Sequence, residues 1–156
     1  MHLAAVEERE RAHSCVQSAE AELKTVRRSR EQKITLRLLE EGRRQLEDAL
    51  RERWADTALR AVWVHSLVEQ GMASLPSKAW HIDHPSTWPE SEAAALAAEL
   101  EQRLGETPRL TPQADIEAGL RIAGGGASLD GTLRGLLANR RAIDARLLAR
   151  LGDDSQ

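Results

Sequence analysis

The sequence predicts an α+β protein: a long N-terminal α-helix serving as a coiled-coil stalk, then a small α/β head with a short mixed sheet and flanking helices. Three observations carry this expectation. No proline occurs from Val6 to Leu75 and glycine only at Gly42 and Gly71, so little stops a helix over that length. Charged residues are 30% of the 156-residue chain and aromatics 3%, a balance that favours long exposed helix over a large core. Beyond Pro76, short alternating apolar runs lie between glycine- and proline-containing stretches, the pattern of strands and turns. One core is expected at this length, with residues 1–53 as stalk and 54–156 as head.

Along the first helix the apolar positions are sparse. Leu23, Val26, Ile34, Leu38 and Leu46 form a line that advances mostly by four residues, with Arg30 and Gly42 inside it. That step is nearer an eleven-residue repeat than a heptad and points to a straight or right-handed pair. A stripe this narrow does not suit a globular core, yet it is too apolar for open water, so a partner helix is implied. The alternative is a solvated rod held by pairs such as Glu47 with Arg51 and Asp48 with Arg51.

Near Trp54 the pattern broadens. Trp54, Ala58, Leu59, Val62, Trp63, Leu67, Val68 and Met72 recur at helical spacing, so the helix, or a second one abutting it, enters a core before Pro76 ends it. Gly71 is expected to loosen the last turn. "KAWHIDHP" reads as a short strand, with Trp80 and Ile82 alternating with His81 and Asp83. A helix follows, with Ser86 or Thr87 as N-cap, Pro89 in its first turn, Glu90 and Glu92 favourable to its dipole, and Gly105 just past its end. Its buried stripe is Ala93, Leu96, Ala97, Leu100 and Leu104. An edge segment at Arg109 and Leu110, a strand from Ile116 to Ala123, a turn at Gly124 to Gly126 and a return through Ala127 to Leu129 complete the sheet. The last helix is expected to run unbroken from Thr132 to Leu151, capped by Asp130 or Thr132 and burying Leu133, Leu136 or Leu137, Ile143, Leu147 and Leu151.

Little in the chain argues for catalysis. A phosphate loop joins a strand directly to a helix N-terminus, whereas Gly124-Gly125-Gly126 is followed by "ASLD", without lysine and with an extended piece before the helix; a hairpin turn is the better reading. His81 and Asp83 share one face of a strand, but a catalytic zinc needs three protein ligands and His65 is distant in sequence. They read as polar residues on an exposed face, with His84 set by the turn before Pro85. Cys15 is the single cysteine, so neither an internal disulfide nor a cysteine-based zinc site is available, and a reducing compartment is expected. Trp54 and Trp63 read as core or interface anchors. No catalytic, cofactor or metal residue is therefore assigned. A net charge of −3 gives no case for nucleic acid, and the N-terminus lacks the features of a signal peptide. A cytoplasmic protein with protein partners is expected.

The stretch "IEAGLRIAGGGASLDGTLRGLL" resembles the C-terminal domain of the E subunit of V-type and A-type rotary ATPases, where a glycine-rich strand and turn lead through an Asp and a Thr or Ser into a Leu- and Arg-rich helix. Gly119 matches the glycine before the strand, Gly125 or Gly126 the turn, and Asp130, Thr132 and Leu133 the helix entry. "KAWHIDHPSTWP" is similar to the family's first strand with its His-Pro step, and "RAVWVHSLVEQGMASLP" to the helix before it. The ATP synthase delta subunit and the stator of flagellar and type III secretion ATPases share the outline more loosely. Ala118 departs from the family, which commonly has glycine there, and the stalk is short for an E subunit. The resemblance covers Trp54 to Leu151. It implies a non-catalytic peripheral stalk that resists rotor torque, so that ATP turnover stays coupled to ion movement. It further implies a heterodimer between the N-terminal helix and a helical stalk subunit, called G, through Leu23, Val26, Ile34, Leu38 and Leu46, and docking of the head on the catalytic subunits. A flagellar or secretion stator is the second reading, and a small enzyme using the glycine loop or His81 and Asp83 a distant third.

Overall fold

The structure, a computed structural model, describes the backbone of residues 2–153 and the side chains of residues 6–152. It has the expected α+β layout: α1 (His2–Ala55), α2 (Thr57–Ser74), β1 (His81–Pro85), α3 (Glu90–Leu104), β2 (Arg109–Gln113), β3 (Arg121–Gly124), β4 (Ala127–Asp130), α4 (Leu133–Ala138) and α5 (Arg140–Asp153). The chain divides into two compact units, Met1–Gly42 and Arg43–Gln156, the second of which takes in the last turns of α1.

The first unit is helix throughout its described length, and its apolar stripe is bare. Leu23, Val26, Ile34 and Leu38 are 59%, 64%, 49% and 48% exposed.

The second unit is built on a four-stranded mixed sheet in the order β2-β1-β3-β4. β1 and β2 run parallel with α3 as their crossover, while β3 lies antiparallel to both β1 and β4. The pairing register aligns Leu110, Ile82, Ile122 and Leu129 in one row across the sheet. Because side chains alternate along a strand, that row faces one side, where Ile82 and Ile122 are fully buried. Trp63, Leu67 and Val68 of α2 join the same core as Leu96, Leu100 and Leu104 of α3, with Trp80, Leu120 and Leu133.

The glycine stretch is a hairpin turn. Gly124 pairs with Ala127, and Gly125 and Gly126 between them have φ of 63° and 82°, the two positive values that a type I′ turn requires. Gly119 answers a different need. Its φ is 81°, and a Cβ there would stand 2.2 Å from the Gly131 carbonyl oxygen and 2.8 Å from the Thr132 Cα. The chain crosses itself at that point, where Gly131 N donates to the Leu120 carbonyl at 3.0 Å and Leu133 N to the Ala118 carbonyl at 2.9 Å.

Several boundaries differ from expectation. The strand expected from Ile116 begins only at Arg121, because the left-handed turn at Gly119 breaks extended backbone. The edge segment at Arg109 and Leu110 extends to Gln113. The final helix is two helices broken at Asn139 (φ −83°, ψ 66°), whose Oδ1 accepts from Ala142 N at 3.3 Å and so caps α5. Of Leu136 and Leu137, Leu137 is the one packed against the core, and Leu151, assigned to the buried side, is exposed. Pro89, not Ser86 or Thr87, stands at the N-cap of α3, and no side chain caps that end. Leu59 and Val62 are exposed, since α2 starts afresh after Asp56 and turns Arg60, Trp63, Val64, Leu67, Val68 and Gly71 inward. Gly71 makes room for the Trp80 ring, which would lie 2.9 Å from a Cβ.

Gly119→Ala is expected to destabilise the head by about 3 kcal/mol or more through the added backbone collision, and Gly126→Ala, which meets open space, by only about 1 kcal/mol from its positive φ. Urea unfolding of both variants checks the order.

Candidate functional site

Two regions carry the residues that the sequence marks out. The first is the entry to α4. Thr132 is its N-cap, with Oγ1 accepting from Gly135 N at 3.1 Å, and Asp130 Oδ1 accepts from both Thr132 N at 3.1 Å and Thr132 Oγ1 at 2.6 Å. Both expected capping residues therefore act in series, one fixing the other. A Cβ at Gly135 would lie 2.4 Å from the Asp130 carboxylate, which explains glycine in this first turn. Leu133 turns into the core. The crossing under Gly119 locks this entry to the sheet, helped by Trp63 Nε1 donating to the Gly131 carbonyl at 3.2 Å. Thus Gly119, Asp130, Thr132 and Leu133 meet in one place, while Gly125 and Gly126 lie at the far end of the β3–β4 hairpin, where Gly125 packs against Pro76 and Ser77.

Beside this entry opens a cleft of about 450 Å³, bordered by Arg43, Asp115, Glu117, Arg121, Arg134 and Arg140 among others. Its lining mixes both signs of charge. Arg43 pairs with Asp144 at 2.9 Å and Glu117 with Arg51 at 2.8 Å, and Arg51 also pairs with Glu47 and with Asp48, the expected helix-surface bridges.

His81 and Asp83 lie on the sheet face opposite the core. His81 Nε2 is 3.0 Å from Asp83 Oδ1, to which Gln113 Nε2 also donates at 3.1 Å, and Arg121 stands between Asp83 and Asp130 at 3.8 and 3.9 Å. The pair is thus one part of a polar row running along the sheet. His84, on the same face as Ile82, is buried; its Nδ1 donates to the Pro85 carbonyl at 2.9 Å, and its ring packs edge-wise against Trp88. Among the described residues no group of three or more His, Cys, Asp or Glu is placed to hold a metal ion. No described helix is long and apolar enough to cross a membrane.

The second region is the stripe on α1. Leu23, Val26, Ile34 and Leu38 stand on the first unit; Leu46 is half-buried on the second and is set apart from them. Cys15 is exposed on the same helix.

The sequence reading assigns Arg60 no role, yet it organises the junction from which the head is built. It is 7% exposed, and its guanidinium meets Glu92 through two bonds, Nε to Oε2 at 2.9 Å and Nη2 to Oε1 at 2.6 Å. Nη1 donates to the Trp54 carbonyl at 2.7 Å and to that of Ala55 at 3.3 Å, and Trp88 Nε1 donates to Glu92 at 2.9 Å. The bonds to Glu92 raise the pKa of Arg60 above its ordinary value, and those from Arg60, with Trp88 adding to them, hold the Glu92 carboxyl below the carboxylate range against partial burial. The only local signal was an arginine inside an apolar stripe.

Comparison of the chain with protein-family models and with curated proteins finds no match.

Removing Glu92 leaves a buried guanidinium half-satisfied, so Glu92→Ala is expected to lose about 3 kcal/mol at neutral pH. Since folding lowers the Glu92 pKa, its contribution is complete above the ordinary carboxylate range and disappears as pH falls below it. Chemical unfolding from neutral to acid pH should therefore show a flatter profile for Glu92→Gln than for the parent.

Proposed function

We propose that this chain is a non-catalytic stalk subunit, of the kind represented by the E subunit in the peripheral stalk of V-type and A-type rotary ATPases. The observation that carries this reading is the bare stripe of Leu23, Val26, Ile34 and Leu38 on a 54-residue helix. Roughly half-exposed aliphatic side chains gain on the order of 1 kcal/mol each when covered, and a helix pair covers such a line without a globular core. Pairing also stiffens the rod, which is what a support against torque needs.

The head supports the same reading. Gly119, Asp130, Thr132 and Leu133, the positions of the resemblance, meet at one rigid helix entry, next to an open cleft of mixed charge that suits a protein surface. The glycine turn packs on its own chain at Gly125, where a Cβ would lie 2.9 Å from Pro76 and Ser77, which suits a structural hairpin. In this reading the stalk pairs with a helical G-type subunit, the head docks on the catalytic subunits, and the chain works in the cytoplasm, held at the membrane only through the complex.

Leu23→Asp combined with Ile34→Asp is expected to abolish the heterodimer formed on co-expression with a G-type subunit while the thermal midpoint of the head stays unchanged. Undiminished co-elution in size-exclusion chromatography would remove the stripe from its assigned role.

A further inference from the structure

The stripe lies in a helix whose charges are sorted along its length. Residues 6–22 carry Glu7, Glu8, Glu10, Glu20 and Glu22 against Arg9 and Arg11, whereas 24–37 carry Lys24, Arg27, Arg28, Arg30, Lys33 and Arg37 against Glu31 alone. None of these side chains makes an ion pair among the described residues. At 3.6 residues per turn, Ala12, Val16, Ala19, Leu23, Val26, Arg30 and Ile34 form one seam that crosses both blocks. Its described aliphatic members Val16, Leu23, Val26 and Ile34 are all exposed. The helix thus presents an apolar line with an acidic half and a basic half.

We propose that, when no other partner is bound, a second copy of this chain covers the seam in antiparallel orientation. This rests on the reading of the stripe as a helix-pairing surface and adds a competing, self-associated state to it. A parallel, in-register pair would place six cations opposite the same six and is disfavoured by like-charge repulsion. Turning one copy around sets each basic half against the acidic half of the other. The register that best joins the seam centres on Leu23 against its own counterpart. Ala12 then faces Ile34, small against large, Ala19 lies beside Val26, and Val16 beside the aliphatic stem of Arg30. On the flanks Glu8 reaches Arg37, and Glu20 lies between Lys24 and Arg27. A two-fold axis repeats every contact, as an isologous interface requires. The overlap from Glu8 to Leu38 spans roughly 45 Å, more than twice the length of about 12–15 residues below which an isolated helix is marginal.

Cysteine cross-linking of the full chain tests this in a Cys15→Ser background. Leu23→Cys should form a disulfide-linked dimer under mild oxidation, Ile34→Cys should fail to link with itself, and Ile34→Cys mixed with Ala12→Cys should link the two. Efficient self-linking of Ile34→Cys would overturn the orientation, and a monomer mass by sedimentation at micromolar concentration would overturn the pairing. As a second measure, Arg27→Glu with Arg37→Glu should raise the dimer dissociation constant at least tenfold. Mixing that variant with Glu8→Arg, Glu20→Arg should restore association; failure to restore it would overturn the charge register. If the chain alone is monomeric yet still binds a co-expressed helical subunit through Leu23 and Ile34, this proposal fails and the stalk reading stands.

Discussion

The head depends on one buried guanidinium. A helix leaves its last carbonyls without partners within it, and α1 ends at Ala55, inside the head's own compact unit. Arg60, one turn into α2, folds back on the Trp54 and Ala55 carbonyls and places positive charge at the negative end of the helix dipole. Its remaining donors grip Glu92 in the first turn of α3. A single side chain thereby sets the end of one helix, the start of the next and the seat of a third. Trp54, Trp63 and Trp88 pack around it, with Trp54 in edge contact with Trp63 at 5.5 Å and tilted against Trp88 at 6.2 Å. An apolar substitute at Arg60 would have the volume but would leave the carbonyls and Glu92 unanswered.

The elements with strong local signals were legible in the sequence. The hairpin at Gly125 and Gly126 follows from the need for two positive φ values in succession, and the end of α3 at Gly105 (φ 78°) from the left-handed conformation that commonly closes a helix. The long first helix follows from the absence of breakers. Illegible were the features that depend on distant partners. Nothing near Asp56 in sequence says that its carboxylate, rather than the continuing helix, will take the Leu59 amide; that choice is made by the core that α2 must face. Gly119 looks like a residue at a strand edge until the chain is seen to pass over it at Gly131. His84 shares the buried face of its strand with Ile82, and the Trp88 ring that packs against it arrives from beyond the strand.

The candidate site shows the same division. Asp130 and Thr132 were readable because capping is local chemistry over three residues. Their attachment to Gly119 was not readable, because it rests on a crossing between stretches of chain far apart in sequence. Leu46 illustrates the limit of periodicity: it continues the line of Leu23 to Leu38 on the helix surface, yet it falls past the point where the helix joins the compact head and is half-covered there. Spacing fixes the face of a helix, whereas what stands opposite that face depends on chain that arrives much later.

The placement of the tryptophans has an optical consequence. All four lie in the head, three of them gathered at the Arg60 junction, and the chain has neither tyrosine nor phenylalanine. Intrinsic fluorescence and near-ultraviolet circular dichroism therefore watch the head alone, while residues 6–42 are dark to both. The far-ultraviolet signal, in contrast, sums the helices of both units. A loss of helical signal with the tryptophan signals unchanged would thus report on helix remote from the tryptophans, without any label.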